Sequence, residues 1–433
     1  MTRKHLFAPL ALAALLGACL DNQTIQPPAD NPDLVDPLFA RYVSFGNSIT
    51  AGLQSGGIND STQLRSYAVL LAGQMGTTFN VPLLNKPGCP PPFTNIFTQE
   101  VVGDPGPLGC ALRHPVLPPY LTNVAWPGAN VLEAYDYFDA SIVPSETDAF
   151  RSFLLGGRTE LDWAKLVQPT FVTIWLGNND VLGSILSETN PGDPALVTAP
   201  AAFANHLGAL LAGLDAIGTV EGGVLIGAVQ AGLAPYLTQG RVWKGFEAQF
   251  DALTAPLNAF NVNNNCLAFQ ALTATDTAWV SVPFPVGGPM LAEANAKVDS
   301  VQHGTLPPQN LQPVVMDCSV DANVVSVGEM AIMMSAVAQY NAAIEQAATD
   351  HDWIYIDPND LLLQLLQDPT AIRSFPAFPG LPGVTPDESQ NEPFGWALSL
   401  DGIHPSSATH ILVANALIAA INAKYSTTIP AIQ

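Results

Sequence analysis

The chain has 433 residues, of which 48% are hydrophobic and only 12% are charged, so a large core is feasible and wholesale disorder is excluded. Lys and Arg number 14 against 37 Asp and Glu, and the resulting net charge of −23 argues against binding to nucleic acid or, through basic patches, to anionic membranes. The 38 prolines and 34 glycines predict many long loops. These numbers leave a globular protein that acts on small molecules.

The N-terminal segment has the features of a bacterial export signal. A short basic stretch precedes an apolar run at residues 6–16, which is too short to span a bilayer. The following Leu-Gly-Ala-Cys resembles a lipobox, so we expect a signal peptide at 1–18, acylation of Cys19 and a polar tether at 19–38. The alternative is an ordinary signal peptide with an incidental cysteine. The lipobox predicts a lipoprotein anchored at the cell envelope, in the outer membrane or periplasm.

Four further cysteines, Cys89, Cys110, Cys266 and Cys318, form an even set. They allow three pairings, and the sequence excludes none of them. Pairing of nearest neighbours would join Cys89 to Cys110 and Cys266 to Cys318. We expect disulfides rather than buried thiols, because an exported protein folds in an oxidising compartment. The common zinc-site spacings are absent from the sequence, so we predict no metal site.

Apolar, β-rich runs alternate with helical patterns, which predicts an α/β fold with a mostly parallel, five-stranded sheet. The predicted strands, in chain order, are residues 41–45, 122–126, 171–176, 223–228 and 353–356. The predicted helices include residues 64–75, 327–348 and 407–424, with Ser406 or Ser407 capping the last.

Two segments, residues 78–120 and 230–325, do not fit this alternation and each holds a cysteine pair. We interpret them as decorations on a single domain at 39–433. The second is apolar and shows little periodicity, which predicts an irregular insertion. Two roles are open for it: it lines a groove for an acyl chain, or it packs only a small core of its own.

Five residues in four short motifs carry the candidate chemistry. Ser48 lies in a glycine-flanked turn after the first predicted strand, and Asn179 follows the third. The carboxyl ends of parallel strands share one edge of a sheet, where α/β proteins bind ligands. Gly128 offers an unobstructed N–H, and an amide such as Asn179 can donate to a developing oxyanion. Asp401 and His404 are three residues apart before the last helix, so the carboxylate can orient the imidazole as the base that a nucleophilic serine requires.

The motifs FGNSITAG, AWPGA, WLGNND and DGIHPS occur in this order and resemble the four blocks of the SGNH hydrolases, also called GDSL esterases and lipases. The resemblance spans Tyr42 to the last helix and implies a flavodoxin-like, three-layer α/β/α sandwich. It departs from the family at Asn47, where the commonest first block has Asp.

By this resemblance, Ser48 is the nucleophile, His404 the general base and Asp401 the third member of the triad. The oxyanion hole comprises the N–H groups of Ser48 and Gly128 and the side chain of Asn179. No cofactor is implied.

The function implied is hydrolysis of carboxylic esters through an acyl-enzyme, and we expect lipid or other hydrophobic acyl esters as substrates. One alternative is a carbohydrate or peptidoglycan O-acetyl esterase. Another is a non-catalytic surface lipoprotein that keeps the fold as a binding module. The remaining histidines lack such a context, and we interpret His410, within the last helix, as a packing or surface residue.

Overall fold

The structure, a computed structural model, describes residues 33–103, 113–114, 118–136, 146–274, 276–381 and 383–433. The strands in these ranges are β1 (Tyr42–Gly46), β2 (Phe93–Asn95), β3 (Glu100–Val101), β4 (Phe171–Trp175), β5 (Gly222–Ile226), β6 (Leu237–Gln239), β7 (Phe260–Val262), β8 (Phe269–Ala271), β9 (Thr277–Trp279), β10 (Ser281–Pro283), β11 (Val314–Met316) and β12 (Ile354–Ile356). The α-helices are α1 (Ser48–Ala51), α2 (Asp60–Gln63), α3 (Tyr67–Met75), α4 (Glu146–Leu155), α5 (Glu160–Val167), α6 (Asn179–Ile185), α7 (Pro200–Asp215), α8 (Gly240–Thr254), α9 (Phe284–Gln302), α10 (Val327–Asp350), α11 (Pro358–Leu365), α12 (Pro386–Asn391) and α13 (Ser407–Tyr425).

The central sheet is parallel and has the order β1-β4-β5-β12. β1, β4 and β5 are buried along their whole length. Helices can cover both faces of the sheet because these strands present mostly apolar side chains on each face, as is usual for parallel sheets. The α/β class and parallel sheet predicted from the sequence are therefore confirmed.

The predicted second strand, residues 122–126, is present only as an isolated parallel bridge between Asn123 and Ser44, so the sheet has four strands rather than five. The segment still runs beside β1, because Ser44 donates its N–H to Thr122 O at 2.9 Å and accepts from the N–H of Val124 at 3.0 Å. The side chain of Asn123 instead accepts a local bond from the N–H of Ala125, which competes with a regular ladder. β1 thus lies between this segment and β4, the neighbours expected in the flavodoxin-like order.

Helices cover both faces of the sheet and complete three layers. Alternate residues of β4 point to opposite faces, so that Val172 and Ile174 join one apolar cluster while Phe171 and Trp175 join the other. The first cluster includes buried side chains of α5, α7 and α10, and the second those of α3 and α13. Residues 194–215, which include α7, are also apolar and long enough to cross a membrane. One face of α7 is buried in the protein and the other is largely exposed. The buried face holds five large side chains: Phe203, Leu207, Leu210, Leu211 and Leu214.

Polar caps fix the starts of the helices. α3 begins at Tyr67, three residues after the predicted start, because the side chain of Ser66 accepts from the N–H of Val69. α10 begins with a capping box formed by Ser326 and Glu329. For the last helix, the cap is Ser406, whose side chain accepts from the N–H of Thr409.

Residues 230–325 are more regular than the sequence pattern predicts, since they include the helices α8 and α9. Trp243, Phe246 and Phe250 of α8 are spaced three and four apart, which puts them on one helix face. They join a separate apolar cluster that includes Phe260 of β7 and Leu291 of α9. The insertion therefore packs an apolar core, to which Phe378 from outside the insertion also contributes. The choice between the two roles left open by its sequence stays a prediction.

The disulfide between Cys266 and Cys318 is present, as nearest-neighbour pairing predicts. Cys110 lies outside the described residues, so the pairing of Cys89 with Cys110 stays a prediction. Cys19 and the predicted signal peptide at 1–18 also lie outside them, so the predicted acylation and cleavage stay predictions.

Candidate active site

Ser48 is the first residue of α1, and only the cap residue Asn47 separates it from the carboxyl end of β1. The turn at this junction requires glycine at position 46, because a Cβ there would lie 2.2 Å from Oγ1 of Thr50. The N–H of Gly46 donates to the carboxylate of Glu160 at 2.9 Å. Glu160 is fully buried, and this burial raises the pKa of its carboxyl well above the usual value. The sequence analysis missed Glu160, since nothing local marks a residue that acts 114 positions away from its partner.

Asn47, the departure from the family motif, caps α1. Its side-chain oxygen accepts from the N–H of Ile49 at 3.2 Å. Aspartate and asparagine cap helices about equally well, so the substitution preserves this local function. Within the described part of the chain, the buried Nδ2 of Asn47 has no hydrogen-bond partner.

Ser48, His404 and Asp401 form one hydrogen-bonded chain, although 356 positions separate the serine from the histidine. Nε2 of His404 lies 2.8 Å from Oγ of Ser48, and Nδ1 of the same ring lies 2.9 Å from Oδ2 of Asp401. With Nδ1 protonated toward the carboxylate, Nε2 is left as the acceptor of the serine proton. The arrangement is therefore able to generate a nucleophilic alkoxide at Ser48.

Four hydrogen bonds to residues near it hold Asp401 in place. Its Oδ1 accepts from the N–H groups of Ile403 and His404, both at 2.9 Å, and from the hydroxyl of Ser399 at 3.1 Å. Its Oδ2 accepts from the N–H of Gly56 at 2.6 Å. Burial alone would raise the pKa of Asp401, but the charge of His404 and the hydrogen bonds outweigh it and lower the pKa to about 2. Asp401 is thus ionised at neutral pH and able to stabilise an imidazolium.

The three expected oxyanion donors lie on neighbouring loops. Gly128 has a φ of 102°, in the region that favours glycine. In the described part of the chain, the N–H groups of Ser48 and Gly128 donate no hydrogen bond within the protein. Nδ2 of Asn179 donates one hydrogen to Ala129 O at 2.9 Å, which leaves its second hydrogen for a ligand.

Asp180, the residue after Asn179, adds a second hydrogen bond between α6 and the loop that carries Gly128. Its carboxylate accepts from the N–H of Val131 at 3.1 Å, so adjacent residues of α6 bind the loop that carries Gly128. Burial raises the pKa of Asp180 to about 6. The sequence analysis did not assign a role to Asp180, although it belongs to the WLGNND motif.

A small pocket of about 70 Å³ adjoins Ser48 and His404. Its wall is mostly apolar and includes Val181, Leu182 and Ile185 of α6. The insertion at 230–325 contributes only residues from its beginning: Gln230, Ala234 and Tyr236. This pocket is suited to the small apolar part of a ligand whose polar group faces Ser48.

His410 is a packing residue, as the sequence predicts. It is fully buried, its Nδ1 accepts from the N–H of Tyr67 at 3.1 Å, and its ring stacks on that of Tyr67.

Comparison with known proteins finds structural similarity to solved structures at low sequence identity. No family model matches the chain, and no curated protein matches it. The chain is structurally similar to the acetylxylan esterase Axe2 of Geobacillus stearothermophilus, at 13% identity over 88% of this chain and 93% of that one, with a TM-score of 0.35. It is also similar to the extracellular lipase of Streptomyces rimosus, at 14% identity over 88% of this chain and 98% of that one, with a TM-score of 0.34. At these TM-scores neither likeness bears on the reaction of this chain.

Proposed function

We propose that this protein is a serine esterase of the SGNH type, which hydrolyses carboxylic esters through an acyl-enzyme. The observation that carries the proposal is the hydrogen-bonded chain from Oγ of Ser48 through His404 to Asp401, with distances of 2.8 and 2.9 Å. A serine hydroxyl is a weak nucleophile until an oriented base removes its proton, and these three side chains supply that base and its orientation.

In the proposed reaction, His404 accepts the proton of Ser48 as its oxygen attacks the ester carbonyl. The negative charge that develops on the carbonyl oxygen is stabilised by the N–H groups of Ser48 and Gly128 and by the free hydrogen of Asn179. His404 then protonates the departing alcohol, leaving the acyl group on Ser48. Water, deprotonated by His404, attacks the acyl-enzyme, and His404 returns that proton to Oγ of Ser48 as the bond to the acyl group breaks and the acid is released. Each residue thereby returns to its starting state.

The shape and polarity of the site narrow the range of esters that are possible substrates. The apolar lining of the pocket beside Ser48 favours an aliphatic acyl group over a sugar ring on that side. The volume of about 70 Å³ on its own suits a short acyl group, which favours the alternative of an O-acetyl esterase. The two candidates differ in one measurable property, the dependence of kcat/KM on acyl length.

The test of the proposed function uses Ser48→Ala together with a serine-directed phosphonate. The wild-type protein should hydrolyse p-nitrophenyl esters and lose this activity on labelling, and mass spectrometry should place the label on Ser48. Ser48→Ala should fold normally, resist labelling and lose nearly all activity, because members of a triad act as a unit. Ser61→Ala, on the short helix α2 away from the triad, is the matched control and should behave as wild type. Full activity in Ser48→Ala would refute the assignment, and a wild-type protein inactive on every ester would favour the non-catalytic alternative.

We further propose, on the lipobox alone, that the mature protein begins at an acylated Cys19 and is tethered at the cell envelope. The proposal is consistent with the Cys266–Cys318 disulfide, because exported proteins keep such bonds oxidised.

A further inference from the structure

A second and larger cavity lies next to the Ser48 pocket. It has a volume of about 480 Å³, within the roughly 300–1,000 Å³ typical of ligand sites. The cavity lies between α11 and α13, above the carboxyl ends of the sheet strands, and we call it the α11–α13 cleft. Trp175 of β4, Ile226 of β5 and Ile356 of β12 contribute to its lining from the sheet.

The cleft adjoins the triad directly. Four residues line both the cleft and the small pocket: Ile49, Val229, Ala234 and Ile403. Ile49 follows Ser48 in the chain, and Ile403 precedes His404. These shared side chains therefore form a common wall of the pocket at the reacting serine and the larger cavity.

The two helices turn apolar faces toward the cleft. Val413, Ala416, Leu417 and Ala420 of α13 line it at helical spacing, and the lining from α11 includes Leu361, Leu362 and Leu365. α11 has no fully buried residue, although four of its eight positions are leucine. Aliphatic side chains of this helix thus face a space that the protein itself does not fill.

The negative charge of the cleft argues against an anionic ligand. Among the residues that the structure describes, Asp357 and Asp360 are the charged ones in its lining, and neither Lys nor Arg contributes to it. Asp357 already accepts hydrogen bonds from the backbone and side chain of Asn359, and the hydroxyl of Thr409 donates to Ala397 O. The lining also includes polar groups of Tyr355, Asp360 and Gln364, but most of it is apolar, which favours an uncharged aliphatic chain.

We propose that the α11–α13 cleft binds the aliphatic chain of the ester substrate, which passes from Ser48 between the four shared residues. The inference rests on the proposed esterase function. The pocket at Ser48 has a volume of only about 70 Å³, well below the roughly 300–1,000 Å³ typical of ligand sites. A chain longer than a few carbons must therefore leave it, and the cleft is the adjoining apolar space.

The experiment measures kcat/KM against chain length in two ester series. In p-nitrophenyl esters from acetate to tetradecanoate the chain is on the acyl side, and in alkyl acetates of matching length it is on the alcohol side. One series should rise beyond about four carbons, by up to about fourfold for each buried methylene. The series that rises identifies which half of the ester enters the cleft. If neither series rises, the inference is wrong.

Two pairs of variants then locate the binding site. Ala420→Phe fills the cleft from α13, whereas Ala419→Phe adds the same group at the exposed neighbouring position, which does not line it. Leu362→Gln places an amide in the cleft from α11, and its control is Leu363→Gln at a side chain that is 48% exposed. Ala420→Phe and Leu362→Gln should cut the gain for long chains about tenfold or more and leave acetate hydrolysis unchanged. Equal chain-length profiles in the variants and their controls would overturn the inference.

A binding measurement separates failure of this inference from failure of the proposed function. Calorimetric titration with 1-decanol, an uncharged aliphatic probe, requires no catalysis. Wild type and Ala419→Phe should bind it, and Ala420→Phe should bind it at least about tenfold more weakly. If no ester is hydrolysed but decanol binding follows this pattern, the cleft is an aliphatic site and only the esterase proposal is lost. If esters are hydrolysed through Ser48 but decanol does not bind, the proposal for the cleft is wrong.

Discussion

The carboxylate of Asp180 accepts a hydrogen bond from the backbone N–H of Val131 at 3.1 Å. This bond lies beside that from Asn179 to Ala129 O at 2.9 Å, so two consecutive residues of α6 hold the loop that follows Gly128. Two of the three proposed oxyanion donors are thereby fixed relative to each other before a substrate binds. Such preorganisation is what makes a hydrogen-bond donor effective in a transition state.

We predict that Asp180→Ala lowers kcat about tenfold with little change in KM, because it frees the loop carrying Gly128 without touching the apolar pocket. Asp180→Asn keeps an acceptor for the N–H of Val131 and should recover most of the activity. The measurement is kcat and KM for a p-nitrophenyl ester at pH 8, with Tm of each variant recorded. An equal loss in both variants, or a loss that follows Tm alone, would exclude a positioning role for Asp180.

We predict a larger and purely catalytic effect at Asn179. Asn179→Ala removes one oxyanion donor and should lower kcat by about 10²–10³, equivalent to roughly 3–4 kcal/mol. Asn178→Ala is the neighbouring control, since the side chain of Asn178 accepts from the N–H of Val229 rather than contacting the Gly128 loop. A decrease in kcat of less than threefold in Asn179→Ala would remove this residue from the oxyanion hole.

The sequence predicted those parts of the molecule that depend on local patterns. The strand from Phe171 to Trp175 is apolar except for Thr173, and Ser406 is a strong cap directly before an apolar helix. Contacts between residues that are far apart in the sequence leave no such local pattern. Glu160 reaches the serine turn only through the packing of α5 against β1, and the α11–α13 cleft exists only once the two helices are placed. The helices of the insertion were missed for other reasons: α8 does carry a local signal, Trp243, Phe246 and Phe250 at helical spacing, whereas prolines and glycines obscure the start of α9.

The N-terminal prediction is independent of the fold. Cys19→Ser should abolish acylation, because lipid transfer requires the cysteine thiol. The protein should then be found in the soluble fraction or retained with an uncut signal, whereas wild type should partition into detergent. Mass spectrometry of the mature N-terminus is the decisive measurement. An unmodified N-terminus at a residue other than Cys19 would show an ordinary signal peptide.

The burial of His410 predicts how the stability of the protein depends on pH. Burial, reinforced by the charge of His404, lowers the pKa of His410 to about 3, and its Nδ1 must stay unprotonated to accept from the N–H of Tyr67. In the unfolded chain the same imidazole has a pKa of about 6.5. Below that pH the unfolded state binds a proton that the folded state does not, so stability is lost as the pH falls from about 6.5 toward 3.

We therefore expect His410→Gln, which keeps an acceptor for Tyr67, to reduce the decrease in the free energy of unfolding between pH 7 and pH 4. Well below pH 6.5, each further unit of pH should cost the wild type roughly 1 kcal/mol through His410, and the variant should lack that contribution. Urea denaturation at several pH values measures it, and His303→Gln, at an exposed histidine, is the matched control. If the two variants show the same dependence on pH, His410 is not the group whose protonation destabilises the fold in acid.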